Sequence, residues 1–200
     1  MAGDQTKTRL AETDDYRVIA AALARAFYHD PFMAFALPEA TTRLAISEEM
    51  FHAQLETVFV DTAEVHTTPD LTGAAIWTPP DPPELTIHAS QHIGERMRDL
   101  FGERVPVIGA ALTEIRRHRP AGEHWYLDFL GTDPDHQGRG TGTAVLAPVL
   151  DRCDAAGTDA ILWTTTEANV HFYAGRGFEV TADVQPPAAP RVWWMRRHPR

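Results

Sequence analysis

The chain has 200 residues and 44% hydrophobic content, enough for the apolar core of one mixed domain. Its formal net charge of −10 and pI near 5.4 argue against nucleic acid or an anionic membrane as the main partner, because such a surface repels both and favours amine-bearing small molecules. Cys153 is the only cysteine, which excludes an intrachain disulfide and a thiolate metal site.

The opening MAGDQTKTRLAETDD lacks the charged-then-apolar order of a secretory signal. No apolar run approaches the ~20 residues that span a bilayer, so a cytoplasmic protein is expected. Residues 7–10 alternate like a short strand, and Thr13, Asp14 and Asp15 offer cap oxygens to a helix reaching Ala26, with Val18, Ala22 and Ala26 in helical register. Asp30-Pro31 breaks that helix, and Phe27, Tyr28, Phe32, Met33 and Phe35 form an aromatic elbow before a second helix over 39–58. Residues 63–68 and 74–78 read as an antiparallel hairpin turned by PDLTG. The Pro-rich PPDPPE ends it, and 87–118 reads as two helices over the sheet, interrupted near 102–107.

The second half is more regular: strand 125–131, a glycine loop, helix 141–156, strand 160–165, helix 168–175 and strand 178–183. A last strand at 192–195 and a frayed basic tail, RRHPR, complete the chain. An antiparallel beginning with a parallel centre makes this an α+β protein with a mixed sheet.

The loop DHQGRGTGT lies between a strand and a helix. Such a junction exposes the first helical amides, which have no intrahelical acceptor and carry the positive end of the helix dipole, so it attracts phosphate. Glycines at 138, 140 and 142 let backbone approach an anion, and Arg139 adds charge. The dinucleotide pattern fails because Thr143 stands where its third glycine belongs, and the P-loop fails for want of Gly-Lys-Ser/Thr. What remains is Q/R-x-x-G-x-G/A, here Gln137 to Gly142.

With Pro134 upstream, Asn169 after the next strand and the run FYAGRGFEV, this pattern resembles the acetyl-CoA loop of the GNAT acetyltransferases over about residues 125–179. Within that superfamily, WYLDFLGTDPDHQGRGTG, FYAGRGFEVTADV and PRVWWMRRHP look most like the puromycin N-acetyltransferase type. The resemblance implies one GNAT domain over 1–200, with an acceptor-side half (1–122) and an acetyl-CoA-binding half (123–200). It implies a mostly antiparallel central sheet, splayed where acetyl-CoA lies, with helices on both faces. Leu130, Gly131 and Thr132 would meet the pantetheine arm like an added strand, and Gln137, Gly138, Arg139, Gly140, Thr141, Gly142 and Thr143 would cradle the pyrophosphate. Asn169, Phe172 and Arg176 complete the implied cofactor set, and a strand-end amide near Leu130 would polarise the thioester carbonyl, worth ~3 kcal/mol.

Amine transfer needs a group that takes the amine proton and an acid that meets the departing thiolate. Tyr173 matches the family's tyrosine and is the expected acid. Asp128 shares a strand face with Tyr126 and Leu130 under simple alternation, and reads either as the base, through water, or as a structural carboxylate paired with a cation. Phe27, Tyr28, Phe32, Tyr126 and Trp163 are the expected acceptor-binding residues. Trp163 stands where the puromycin-type enzymes carry an acidic residue, which changes the acceptor pocket and moves any proton-accepting duty to Asp128, Glu167 or water. Asn169 reads as a pantetheine contact, a helix N-cap, or both.

His88 and His92 have metal-compatible spacing but no third ligand, so they read as a solvated face and no metal is expected. His29-Asp30 reads as a local cap, and Cys153 as a buried small hydrophobe. The resulting expectation is an acetyl-CoA-dependent N-acetyltransferase acting on a small-molecule primary amine, with homodimerisation left open. A non-catalytic acyl-CoA sensor and a protein amine acetyltransferase are the alternatives.

Overall fold

The computed structural model describes residues 7–200; the reading of the leader rests partly on the first six, outside the described residues. β1 (Arg9–Leu10) leads through a single turn into α1 (Tyr16–Ala26), and that turn is pinned by Asp15, whose carboxylate accepts the Glu12 amide at 2.8 Å and pairs with Arg9 at 2.6 Å. The stripe that α1 buries is Tyr16, Ile19, Ala20, Leu23 and Ala24, whereas Val18 stays 50% exposed. The register through Val18, Ala22 and Ala26 is helical but lies beside the inward face, because the larger side chains of the other stripe remove more apolar area from water.

Asp30-Pro31 ends α1 and also begins α2 (Pro31–Ala36): the Asp30 carboxylate caps the Met33 amide at 2.9 Å, and Pro31 occupies a position whose missing N–H costs nothing. α3 (Ala40–Gln54) runs through a π-helical turn, Leu55–Phe59, into the short α4 (Val60–Thr62), which carries this helix beyond the expected residue 58. β2 (Glu64–Thr67) and β3 (Gly73–Thr78) form the antiparallel hairpin, followed by α5 (Ile87–Phe101), a turn at Gly102–Arg104 and α6 (Val105–Arg117). Then come β4 (His124–Thr132), α7 (Thr141–Ala156), β5 (Asp159–Thr164), α8 (Glu167–Ala174), β6 (Glu179–Val184) and β7 (Val192–Arg197).

The strands form one sheet in the order β1-β2-β3-β4-β5-β7-β6, and only β4 with β5 is parallel. Their pairing runs from His124↔Asp159 to Tyr126↔Ile161 and stops there, although β4 continues to Thr132 and β5 to Thr164. The sheet is therefore split down its middle, with unpaired strand edge on both sides of the split. Helices α1 to α6 cover one face, with Phe51, Phe129 and Ile115 among their contacts, and α7 and α8 cover the other around Trp77, Val145 and Phe178.

Two expectations change. The C-terminal tail is not frayed: Arg197 is 4% exposed and paired with Asp154 at 2.6 Å, and the Arg200 amide donates to the same carboxylate at 2.8 Å. Simple alternation also fails in β4. Ile76 pairs with Phe129 but Trp77 pairs with Leu127, which leaves Asp128 as the extra residue of a β-bulge. Tyr126 and Phe129 consequently pack on the α1–α6 face, while Leu127 and Leu130 pack on the α7 face, so Leu130 does not share a face with Tyr126.

Candidate active site

The side expected to receive the donor is made largely of backbone. Gly138 and Gly140 adopt φ of +74° and +86°, a left-handed conformation that β-carbon-bearing residues resist, and this turns the chain sharply out of β4 into α7. The first i→i−4 bond of α7 is Ala144 to the Gly140 carbonyl at 3.0 Å, and no side chain caps the helix. The amides of Thr141, Gly142 and Thr143 are thus free to meet an anion. A cavity of about 500 Å³ opens in front of them, lined by Leu130, Thr132 and the loop from Gln137, with Phe172, Tyr173 and Arg176 opposite. Arg176 lies 3.5 Å above the Phe172 ring, donates to the Phe172 carbonyl at 2.6 Å and also bonds the Thr143 hydroxyl, so its charge is held at the helix start. Gln137 braces the turn by donating to the Thr132 carbonyl at 3.1 Å.

The split between β4 and β5 forms a narrow cleft of about 80 Å³ that joins this cavity to the other face of the sheet. Tyr173 and Asn169 line both the cleft and the donor cavity. Burial raises the Tyr173 phenol above its ordinary value, so it is protonated throughout neutral pH. Asn169 donates to the Thr164 hydroxyl at 3.0 Å, and the cap of α8 is Thr166, which accepts the Asn169 amide at 3.2 Å. The N-cap reading of Asn169 is therefore replaced, because the cap falls three residues earlier.

At the far end of the cleft the bulge delivers Asp128. Its carboxylate accepts a hydrogen bond from Thr78 at 2.6 Å and has no cation within salt-bridge distance among the described residues, so the ion-paired alternative falls away. Removal from bulk water pushes its pKa up to about 7, against the opposing pull of the Thr78 hydroxyl and of Arg119. Asp128 also opens onto a cavity of about 610 Å³, on the side expected to receive the acceptor, whose wall includes Tyr126, Trp163, Arg116 and Arg119. The Trp163 indole donates to the Tyr126 hydroxyl at 2.9 Å and meets Phe32 edge-on at 5.3 Å. Beyond Trp163 and Phe129 lies a third, apolar chamber of about 390 Å³ beneath α5 and α6.

A family model described as "Acetyltransferase (GNAT) family" matches residues 66–178. The chain belongs to the GNAT acetyltransferase family. This N-acetyltransferase is 24% identical to an uncharacterised N-acetyltransferase of Schizosaccharomyces pombe, over 84% of this chain and 72% of that protein. Its fold is that of a crystal structure described as histone acetyltransferase HPA2 and related acetyltransferase, from Corynebacterium glutamicum, with TM-score 0.76 and 22% identity over 97% of this chain and 96% of that one. An agmatine N-acetyltransferase has the same fold at TM-score 0.61, 18% identical over 98% of this chain and 100% of that one. So does yncA of Salmonella typhimurium with its cofactor acetyl-CoA, at TM-score 0.51, 15% identical over 96% of this chain and 92% of that one.

Several expected site residues of this acetyltransferase stand elsewhere. At Gly131 a β-carbon would come within 2.6 Å of Leu23, so the glycine allows α1 to pack closely, which leaves the expected main-chain contact of Gly131 untouched. The Arg139 guanidinium donates to the Asp135 carbonyl at 3.1 Å and does not line the cavity. Tyr28 lies outside the cleft, its hydroxyl on the Ala40 carbonyl at 3.1 Å and Arg43 stacked over its ring. Phe27 touches the cleft but packs mainly against Phe51 and Phe129.

Other residues were not singled out by sequence. Asp30 caps α2 as expected, but it also lines the cleft and accepts the Thr165 hydroxyl at 2.6 Å. Pro79, Pro80 and Pro82, read only as a break, rim the acceptor cavity. Arg116 and Arg119, which the sequence did not mark, also lie in its wall. His88 and His92 are solvent-exposed, and no group of three metal-binding side chains occurs among the described residues.

Proposed function

We propose that this enzyme transfers an acetyl group from acetyl-CoA directly to the primary amine of a small molecule. The reading rests on Asp128, a carboxyl group with a pKa of about 7 standing where the cleft meets the acceptor cavity. A neutral amine entering from that cavity gives up a proton to Asp128, directly or through water, as its nitrogen bonds the acyl carbon. The departing thiolate takes the Tyr173 proton; solvent then returns a proton to the Tyr173 phenolate and takes one from the Asp128 carboxyl group. The free amides of Thr141 to Thr143 with Arg176 suit a pyrophosphate, and the unpaired edge of β4 around Leu130 suits the pantetheine arm. The family's donor and the acetyl-CoA in the Salmonella neighbour support the same choice.

Support for a small acceptor comes from the size of the cavity, about 610 Å³, which is in the range of small-molecule sites, with Trp163, α6 and the three prolines in its wall. One neighbour is named for agmatine, itself a small amine. Puromycin belongs among the candidates through the sequence resemblance, with Trp163 reshaping the pocket that would receive it. The test is release of free thiol from acetyl-CoA over a panel of primary amines that includes puromycin and aminoglycosides. Turnover of at least one small amine is expected. Silence across the panel with tight acetyl-CoA binding would replace the enzyme reading with that of a sensor.

A further inference from the structure

The acceptor cavity differs in charge from the surface around it. The chain carries a net charge of −10, which by itself favours cationic ligands. In the cavity wall, however, the side chains charged at neutral pH are Arg116, Arg119 and, above its pKa of about 7, Asp128. His124, also in the wall, is shifted toward its neutral form by burial and then by Arg119.

Neither arginine is neutralised by the protein. Among the described residues no carboxylate lies within salt-bridge distance of Arg116 or Arg119, whereas Arg117, between them on α6, pairs with Glu114 at 2.8 Å. The Arg119 amide bonds the Arg116 carbonyl at 3.1 Å, which places the two residues one helical turn apart on the same side. Arg119 is held in place without losing its charge: its guanidinium lies 4.7 Å from the Tyr126 ring centre and donates to His124 Nε2 at 3.0 Å. Two guanidinium groups facing one cavity repel each other, and an oxyanion bound between them relieves that repulsion through charge-assisted hydrogen bonds.

We infer that the acceptor is an amino-carboxylate: its primary amine sits at Asp128, and a carboxylate on the same molecule is received by Arg116 and Arg119. The inference rests on the transfer reading above and narrows its substrate class. Asp128 and the arginine pair line the same cavity and offer partners to the two ends of a zwitterion, whereas a diamine would bring its second cation against the arginines.

Matched pairs of acceptors test it by thiol release from acetyl-CoA: γ-aminobutyrate against butylamine and putrescine, and ε-aminohexanoate against hexylamine. The expected ratio of kcat/KM, carboxylate-bearing over carboxylate-free, is about tenfold to a hundredfold for at least one chain length, the range of a charged hydrogen bond. Arg116→Ala and Arg119→Gln should each bring that ratio toward one, chiefly through KM, and Arg116→Lys should keep part of it. Unchanged acetyl-CoA affinity by calorimetry would show that the variants remain folded. A ratio near one at every length while amines are still acetylated, a preference for putrescine, or a ratio that survives the Arg116→Ala/Arg119→Gln double variant would overturn the inference alone. No turnover of any amine, with acetyl-CoA bound, would instead defeat the transfer reading on which it stands.

Discussion

The donor cavity and the acceptor cavity are built by different means. The first is assembled over a short span of chain from main-chain amides, two left-handed glycines and an uncapped helix start, with Arg176 and Phe172 as its main distant side chains. The second has its wall drawn from α3, β3, the Pro-rich loop, α6, β4, β5 and β7, and almost all of its chemistry is in side chains. Backbone geometry suits a ligand that never varies. Side chains on separate elements can be exchanged without disturbing the fold, so variation in substrate is expected on that side. Asp128 and Tyr173 stand in the cleft between the two.

The largest expected effect breaks the comparison at that cleft. Asp128→Asn should lower kcat by about 10²-fold or more, the usual contribution of a positioned proton acceptor, while acetyl-CoA affinity by calorimetry stays close to wild type. Equal kcat would remove Asp128 from the mechanism. The same change bears on stability. A carboxyl group whose folded pKa is raised to about 7 contributes stability below its unfolded value and loses it as pH rises through 7, by at most roughly 4 kcal/mol less what water in the cavity recovers. Asp128→Asn should therefore be more stable than wild type at pH 8 to 9 by thermal unfolding, and the gap should close below pH 5.

Tyr173→Phe comes next, with kcat reduced by about tenfold to 10²-fold and the donor dissociation constant little changed. A dissociation constant that rises in step with the loss would make Tyr173 a wall of the donor cavity only.

Gly140→Ala should act on the donor side alone. A β-carbon at φ +86° is strained by roughly 1 to 2 kcal/mol, so the loop shifts and acetyl-CoA binds about tenfold more weakly, with a smaller change in acceptor KM. Equal weakening of both substrates would show the two cavities to be mechanically coupled.

The smallest effect sharpens the acceptor side. In wild type, kcat/KM should rise with pH through about 7 as Asp128 ionises. Thr78→Val removes the hydroxyl that donates to the carboxylate at 2.6 Å and favours its charged form, so the midpoint should move up by about one pH unit. A midpoint that does not move would assign the profile to another group.

Much of the chain order was legible because it is written in local chemistry. The turn PDLTG, the break PPDPPE, the alternation of strands and the apolar spacing of α7 each act within a few residues, and the glycine loop declares its backbone conformation directly. Two of the misreadings share one cause, which is dependence on residues far away in sequence. Asp128 was read by alternation, and only pairing with β3 reveals the bulge that reorients Leu130 relative to Tyr126. The tail looked free because Asp154, which holds Arg197 and Arg200, lies more than 40 residues earlier.

By itself the sequence determined the order of elements, the family and the glycine-rich turn, since each follows from hydrogen bonds and side-chain spacing within one or two turns of chain. Only the tertiary structure decided that the sheet parts after Tyr126, that a bulge forms at Asp128, and that Asp128, Arg116 and Arg119 line one cavity. These depend on which distant segments pack together, and packing acts through space, without a local pattern from which it could be read.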